Sequence, residues 1–332
     1  MKAILFALFV LFSLSIWGAS LTVDNNTPSA GQYATIQAAH DAAINGDTIY
    51  VLPSNTPYAG FTVTKQLTIL GGGWAPVNQD NYRIKVTYIG GTMTFDTGSD
   101  NALMQGFGGQ FNAYIMSSGV NISNCKVSYL TINGSNVSVD KCEIYFSIGI
   151  LGSNTTIKRS TFRLDWGQPC RILSSNATII NNIIVGGPLG IQSANDTSVI
   201  TNNTFAITTN GQVCTGSNFF FTNNLIYNCN DPTVSTINQA FNVFTMDAAE
   251  FVDCVGEDYH LSPTSSAVNA GNPDIGFNDV DGSRNDCGAY GGPDPFIEGG
   301  VVSPYIYEIN ANPVNTQSQD WQVQIKAKIN QE

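Results

Sequence analysis

Six times between residues 122 and 226 the chain repeats one six-residue pattern: apolar, any, polar, small or polar, any, apolar. The pattern begins at Ile122, Val139, Ile157, Ile179, Ile200 and Phe221, with starts 17, 18, 22, 21 and 21 residues apart. A unit of about twenty residues made of short strands and turns cannot bury its apolar face alone; it has to stack on copies of itself. The chain is therefore expected to be a solenoid, with "LMQGF" near Leu103 and the runs "FTVTKQLTILGG" and "RIKVTYIGG" as earlier rungs. Leucine-rich repeats share this period but need a regular leucine skeleton, which is missing here. A parallel β-helix remains.

In such a coil, equivalent residues of successive turns sit ~4.8 Å apart, the ordinary strand spacing. The fourth pattern position then forms one column: Cys125, Cys142, Ser160, Asn182, Asn203 and Asn224. An inward-turned Asn at a bend bonds the coils above and below it, and Asn also tolerates the left-handed backbone of tight bends. The Asn-Asn pairs are thus read as structural. The column places Cys125 beneath Cys142, within the range a disulfide bridges, but stacked free thiols filling a core column fit the same residues. A second inward column lies seven residues ahead of most pattern starts, at Ile132, Ile150, Ile172 and Cys214, with Ile191 offset by an insertion. The segments between columns vary most at "RLDWGQP", and variable loops on one side of a rigid stack are where a binding groove is expected.

Only 11% of residues are charged and the net charge is -12, with no basic stripe. Nucleic acid phosphates and anionic lipid are therefore poor partners. Residues 1–20, "MKAILFALFVLFSLSIWGAS", carry a lysine, an apolar run and small residues Gly18 and Ser20 before a plausible cleavage site, which reads as a secretory signal peptide. The apolar run is shorter than the roughly 20 residues of a membrane span, so the mature chain is expected to be secreted or held at the cell surface, not transmembrane. Seven cysteines, an odd number, leave at least one thiol without an intrachain partner. None of them forms the tight C-x-x-C pair of a zinc site.

A stack of coils needs covers at both ends. "QYATIQAAHDAAINGDTIYVLP" supplies one: Ile36, Ala39, His40 and Ala43 recur at helical spacing, and "NG" ends the helix. His40 falls on the apolar stripe and reads as a packed cap residue. Together with "YAGFTVTKQLTILGGG", the Asn-rich coils and "DYHLSPTSSAVNAGNPDIGFNDVDGSRNDCGAYGG", this stretch resembles secreted right-handed parallel β-helix proteins of the pectate-lyase-like superfamily, over residues 21–293. The resemblance implies an all-β fold with a short N-terminal capping helix, and a closing motif whose His260, Asp281, Arg284, Asp286 and Tyr290 hold the end together. It also implies a core role for Cys287 or a bond from it to Cys254. "DVDGSRND" has acids spaced like part of a calcium loop, but the distal Glu of an EF-hand is absent and the cap role accounts for the acids. No metal ligand is assigned; calcium is the one cofactor the resemblance brings into consideration. The expected organisation is a signal peptide over 1–20, the β-helix with its caps over 21–295, and over 296–332 a tail or the start of a truncated module.

Enzymes that the chain resembles mostly cleave acidic polysaccharides. A calcium-dependent lyase needs several carboxylates and an Arg or Lys base, yet the outward positions beside the second column hold no acid. A glycoside hydrolase needs two carboxylates across a cleft. Glu143 and Asp165 are the acids near the longest loop, and Arg171 is the candidate base or anion anchor. Tyr145, Arg163 and Trp166 are expected to join them on two adjacent coils as substrate contacts, since aromatic rings stack on sugars and Arg pairs with carboxylate or sulfate. A solvated ion-pair patch competes with this reading, because Lys126 and Glu143 are cross-coil neighbours, as are Asp140 and Lys158. The expected function is binding or processing of extracellular polysaccharide, by lyase or hydrolase chemistry if catalytic. The alternative is a surface, adhesion or structural scaffold protein without catalysis.

Overall fold

The computed structural model describes residues 18–74, 86–164, 170–173, 176–186, 191–193, 197–207, 214–216, 219–228, 238–297, 305–311 and 323–328. The strands of its two large sheets are short and pair in parallel with the strand one repeat away, which makes a parallel β-helix. One sheet has eleven strands, from Ser20–Val23 to Asn238–Ala240, and a second has twelve, ending at Val243–Thr245.

The pattern's first and last positions are the two main interior columns. In the first sheet Ile122, Val139, Ile157, Ile179, Ile200 and Phe221 stack in register. In the second, Val127, Ile144, Phe162, Ile184, Phe205 and Ile226 do the same. All twelve are buried, and each such side chain contributes about 1.5–3 kcal/mol of apolar burial.

Between the two columns the chain bends at the third pattern position. Asn124, Lys141, Arg159, Asn181, Asn202 and Asn223 all have φ between 46° and 56°. This is the left-handed region, which Asn enters at less cost than most residues. The fourth position turns inward and forms the expected ladder. The backbone N–H of Asn182 donates to Asn203 Oδ1 (3.0 Å), that of Asn203 to Asn224 Oδ1 (2.9 Å), and that of Asn224 to Asn242 Oδ1 (2.9 Å). Each Nδ2 in turn donates to carbonyls of neighbouring strands, as Asn203 does to Ile179 and Thr201. In the upper coils Ser160 continues the ladder, and Cys125 and Cys142 replace it with free, buried thiols. Burial, with Cys125 alongside, pushes the Cys142 thiol well up. Cys254 and Cys287 are free as well, so the bond between them does not form. Cys287 is fully buried and takes the core role.

The cap helix spans Ile36–Ala42 and buries Ile36, Ala39 and His40. Thr35 caps its N-terminus, and Lys65 Nζ donates to the carbonyls of His40, Asp41 and Ala43 at the other end, where a cation is favoured. His40 is a packed cap residue: its Nε2 accepts from the Thr64 N–H at 3.0 Å.

The closing segment runs back along the flank of the stack. Asn272 N–H donates to Asn223 Oδ1, Asn202 Nδ2 donates to Asn285 Oδ1, Asn181 Nδ2 donates to the carbonyls of Ala289 and Gly291, and Asp294 pairs with Lys158 and Arg159. The first Asn of each Asn-Asn pair therefore binds this segment while the second builds the ladder. Under the segment lies a second hydrophobic core outside the solenoid. Ile183, Ala206 and Leu225 from the outer face of the second sheet pack there with Phe251, Tyr259, Ala267, Cys287, Ala289 and Phe296. The motif residues hold the segment itself: His260 stacks on Tyr290 at 3.9 Å, Arg284 donates to the Gly271 carbonyl, Asp286 accepts from the Asn269 N–H, and Asp281 from that of Ser283. Strands Tyr305–Ala311 and Val323–Lys328 form an antiparallel pair. No helix among the described residues is long and apolar enough to cross a membrane.

Candidate functional site

The outer face of the second sheet changes character along the stack. From Lys126 the same outward column reads Glu143, Thr161, Ile183, Thr204 and Leu225; beside it run Tyr145, Arg163, Val185, Ala206 and Tyr227. The lower, mostly apolar part lies under the closing segment. Above it the column is polar, and at the boundary the structure opens a pocket of about 190 Å³ whose lining includes Trp74, Lys141, Glu143, Arg163, Glu257, Tyr259 and Tyr290.

The floor is a charged network. Glu143 Oε1 accepts from Tyr145 Oη (2.6 Å) and from Arg163 Nε (2.7 Å), while Lys126 Nζ lies 3.3 Å from Oε2 and donates to Tyr145 Oη at 2.9 Å. Burial pushes the Glu143 carboxyl up, but the Tyr145 hydroxyl and the Arg163 guanidinium outweigh it and hold the group below the usual carboxylate range. Arg163 also reaches Glu257 Oε2 at 2.6 Å, so a single guanidinium ties the solenoid to the closing segment. Lys126 stands over the rings of Tyr145 (4.5 Å) and Trp74 (5.4 Å).

The walls are aromatic. Burial pushes the Tyr259 hydroxyl up to about 12, with Cys254 and Glu257 adding to it, so the group stays a neutral donor. Its ring meets Phe251 edge-on at 5.4 Å, and Tyr290 is held between His260 and Phe296. Trp74 Nε1 is buried without an acceptor among the described residues. Arg159 is engaged by Asp140 and Asp294. Lys141 is the pocket cation that makes no ion pair among the described residues, and its left-handed φ of 53° marks it as the residue standing where lower coils have Asn.

Of the residues expected from sequence, Glu143, Tyr145 and Arg163 come together. Tyr145 and Arg163 are register partners on adjacent strands. Arg171 stands elsewhere: it is exposed and pairs with Gly149, beyond a bend at Phe146 (φ 66°) that turns strand Glu143–Ile150 from the second face onto a third. Asp165 and Trp166 lie outside the described residues. Asp140 is the register partner of Lys158 but bonds Arg159 instead, and Lys158 goes to Asp294. Sequence reasoning missed Trp74, Lys141, Glu257 and Tyr259, and it gave Tyr290 only a capping role. One signal was present: at Lys141 and Arg159 cations replace the Asn of the left-handed bend.

The pocket's two carboxylates share one guanidinium, and Glu143 is held ionised. Aromatic walls, a neutral Tyr donor and an unengaged ammonium suit a hydroxyl-rich ring with acceptor groups. Among the described residues no cluster of His, Cys, Asp and Glu has a metal-binding arrangement.

No protein-family model matches the chain, and no curated protein matches it. Among solved structures it is similar to pectate lyase Pel9A, with 14% sequence identity, a TM-score of 0.47 and an alignment that covers 82% of this chain and 97% of that one. The parallel β-helix itself rests on the strand ladders described above.

Proposed function

We propose that the protein is an exported polysaccharide-binding β-helix that holds its ligand at the pocket between the upper coils and the closing segment, without cleaving it. The observation that carries this reading is the pairing of aromatic walls with a saturated charge network: Tyr259 and Tyr290 face a floor in which Glu143 and Glu257 are both bound by Arg163. At about 190 Å³ the pocket is smaller than the ~300 Å³ at which sites enclose a drug-sized ligand, so it takes one ring of a longer chain. Lys141 Nζ supplies a polar contact, Trp74 an aromatic one, and Tyr145 and Arg163 set the floor. Arg171 belongs to another face and serves as a surface control.

The test is retention of the full chain on a panel of immobilised acidic and neutral polysaccharides, with product formation followed in parallel as unsaturated ends and as reducing ends. One polysaccharide is expected to retain the protein, Trp74→Ala and Lys141→Ala to lose most of that retention, and Arg171→Ala to keep it. Cleavage of any member would replace binding with catalysis. Failure to bind any member, or equal loss with Arg171→Ala, would remove the pocket reading.

A further inference from the structure

The two ends of the solenoid are treated differently. The first coil is closed by the helix Ile36–Ala42, whose buried face packs into the core. At the far end the last rungs are Asn238–Ala240 and Val243–Thr245. Gln239 follows Phe221 in the first interior column, and Phe244 follows Ile226 in the second. The preceding residues in both columns are buried, yet Phe244 is 42% exposed and Met246 58%. Among the described residues the closing segment covers the flank and reaches this coil at Phe241, through Cys287 Sγ, and at Val243, while Phe244 and Met246 stay exposed.

Among the described residues the backbone of this coil is open too. The Val243 N–H and the Thr245 carbonyl bond the coil above, so strand alternation turns the N–H and C=O of Phe244 the other way. The Ala240 carbonyl accepts from the Asn223 N–H, which turns the Gln239 pair outward in the same sense. The Asn ladder also stops here: Asn242 Oδ1 receives Asn224, and the Asn242 N–H is the next donor in line.

Edge strands left in solvent are normally blunted by Lys, Pro, inward charges or bulges. Residues 238–246, "NQAFNVFTM", contain no charged residue, Pro or Gly. Charge also bears on what covers them. Copies of a chain with a net charge of -12 repel one another over most of their surface, and the uncharged run 238–246, ahead of Asp247, lets two copies meet along it without facing like charges. A contact between identical patches closes on itself in a two-fold dimer.

We propose that two copies of this chain join end to end through the last coil, each closing the other's core columns around Gln239 and Phe244 and pairing the open strand edges. The pocket lies away from this contact. Thr161 is followed by Ile183, Thr204, Leu225 and Val243, about 19 Å at ~4.8 Å per rung, so dimerisation leaves both pockets accessible.

Sedimentation of the full chain, with Gln239→Arg and Gln239→Glu variants, tests this. Gln239 is exposed, so both variants should keep the wild-type thermal midpoint measured at concentrations where all are monomeric. The wild type is expected to sediment at twice the chain mass, each variant alone at the chain mass, and an equimolar mixture of the two again at twice the chain mass. A dimer that survives both charges would place the contact elsewhere and overturn the proposal. So would a monomeric wild type; hydrogen exchange at Gln239 and Phe244 would then show whether residues 305–328 of the same chain protect the end or solvent reaches it.

Discussion

The coils around residues 126–164 and those around residues 176–227 belong to the same sheet and follow the same six-residue pattern, yet they bury different faces. In the lower coils the bend carries Asn-Asn, followed in two of the three by two consecutive apolar residues, Ile183-Ile184 and Leu225-Ile226, with Thr204-Phe205 between them; the upper coils write Lys126-Val127, Glu143-Ile144 and Thr161-Phe162. A strand buried on one side alternates, whereas one buried on both sides does not. The lower coils are covered by apolar residues of the closing segment, and the upper ones meet it through the ion pairs of Lys158, Arg159 and Arg163. The pocket forms at the step between them, where an apolar cover ends on a charged surface. The repeat supplies the scaffold, and the departure from the repeat supplies the site.

The inner ladder is the sharpest point of contrast. Asn203→Ala leaves the Asn182 N–H and the carbonyls of Ile179 and Thr201 without their partner in a fully buried column. It is expected to cost about 3 kcal/mol or more, since each buried unsatisfied group costs about 1–3 kcal/mol. Cys125→Ala at the equivalent upper position removes packing and the weak bond from Sγ to the Ser123 carbonyl, and is expected to cost ~1 kcal/mol. Urea midpoints at an unchanged m-value measure both, and equal losses would mean that the ladder is no stronger than the thiol column.

The outer faces should separate next. Ile183→Ala removes a side chain from the second core and is expected to destabilise by about 2 kcal/mol, whereas Thr161→Ala, one rung up, should cost ~0.5 kcal/mol or less. Comparable midpoints for the two variants would erase the distinction between the apolar and the polar outer face.

A smaller, local effect is expected at the bend. Asn181→Gly keeps the left-handed backbone but deletes the bonds to the carbonyls of Ala289 and Gly291. Protease cleavage within residues 272–296 should rise by about tenfold, the equivalent of ~1.4 kcal/mol of local stability. Lys141→Gly, at the same bend of an upper coil, should leave that cleavage rate unchanged.

Acid should pull the two regions in opposite directions, with the smallest effect of the four. The folded Glu143 carboxyl is held below its ordinary 4.5, so its contribution is present above that value and lost as the pH falls through the lowered one. Asp279 and Asp286 in the closing segment are raised above 3.8 by burial, so protonation as the pH falls through their raised values relieves a penalty there. Hydrogen exchange between about pH 5 and about pH 3 should show protection falling around Glu143 while it holds or rises around Asp286, and Glu143→Gln should flatten the first response. A uniform loss across both regions would contradict the assignment.

Much of this architecture was legible from one dimension. In a solenoid each residue meets its equivalent one repeat away, so the spacing of Ile157, Ile179 and Ile200 already names their partners, and the column from Ser160 to Asn224 follows from the same count. Tyr145 and Arg163 were readable as neighbours for that reason. Arg171 was placed among them because the count does not register the bend at Phe146, where one left-handed residue moves the rest of the strand to another face. Only the tertiary structure decided where the closing segment lies. Its contacts join Asn181 to Gly291 and Arg163 to Glu257 across stretches with no period, and a segment without a repeat carries no register that the sequence could declare. Periodicity therefore determined the stack and its ladder, while the pocket, the second core and the open last coil came from packing between residues that no spacing relates.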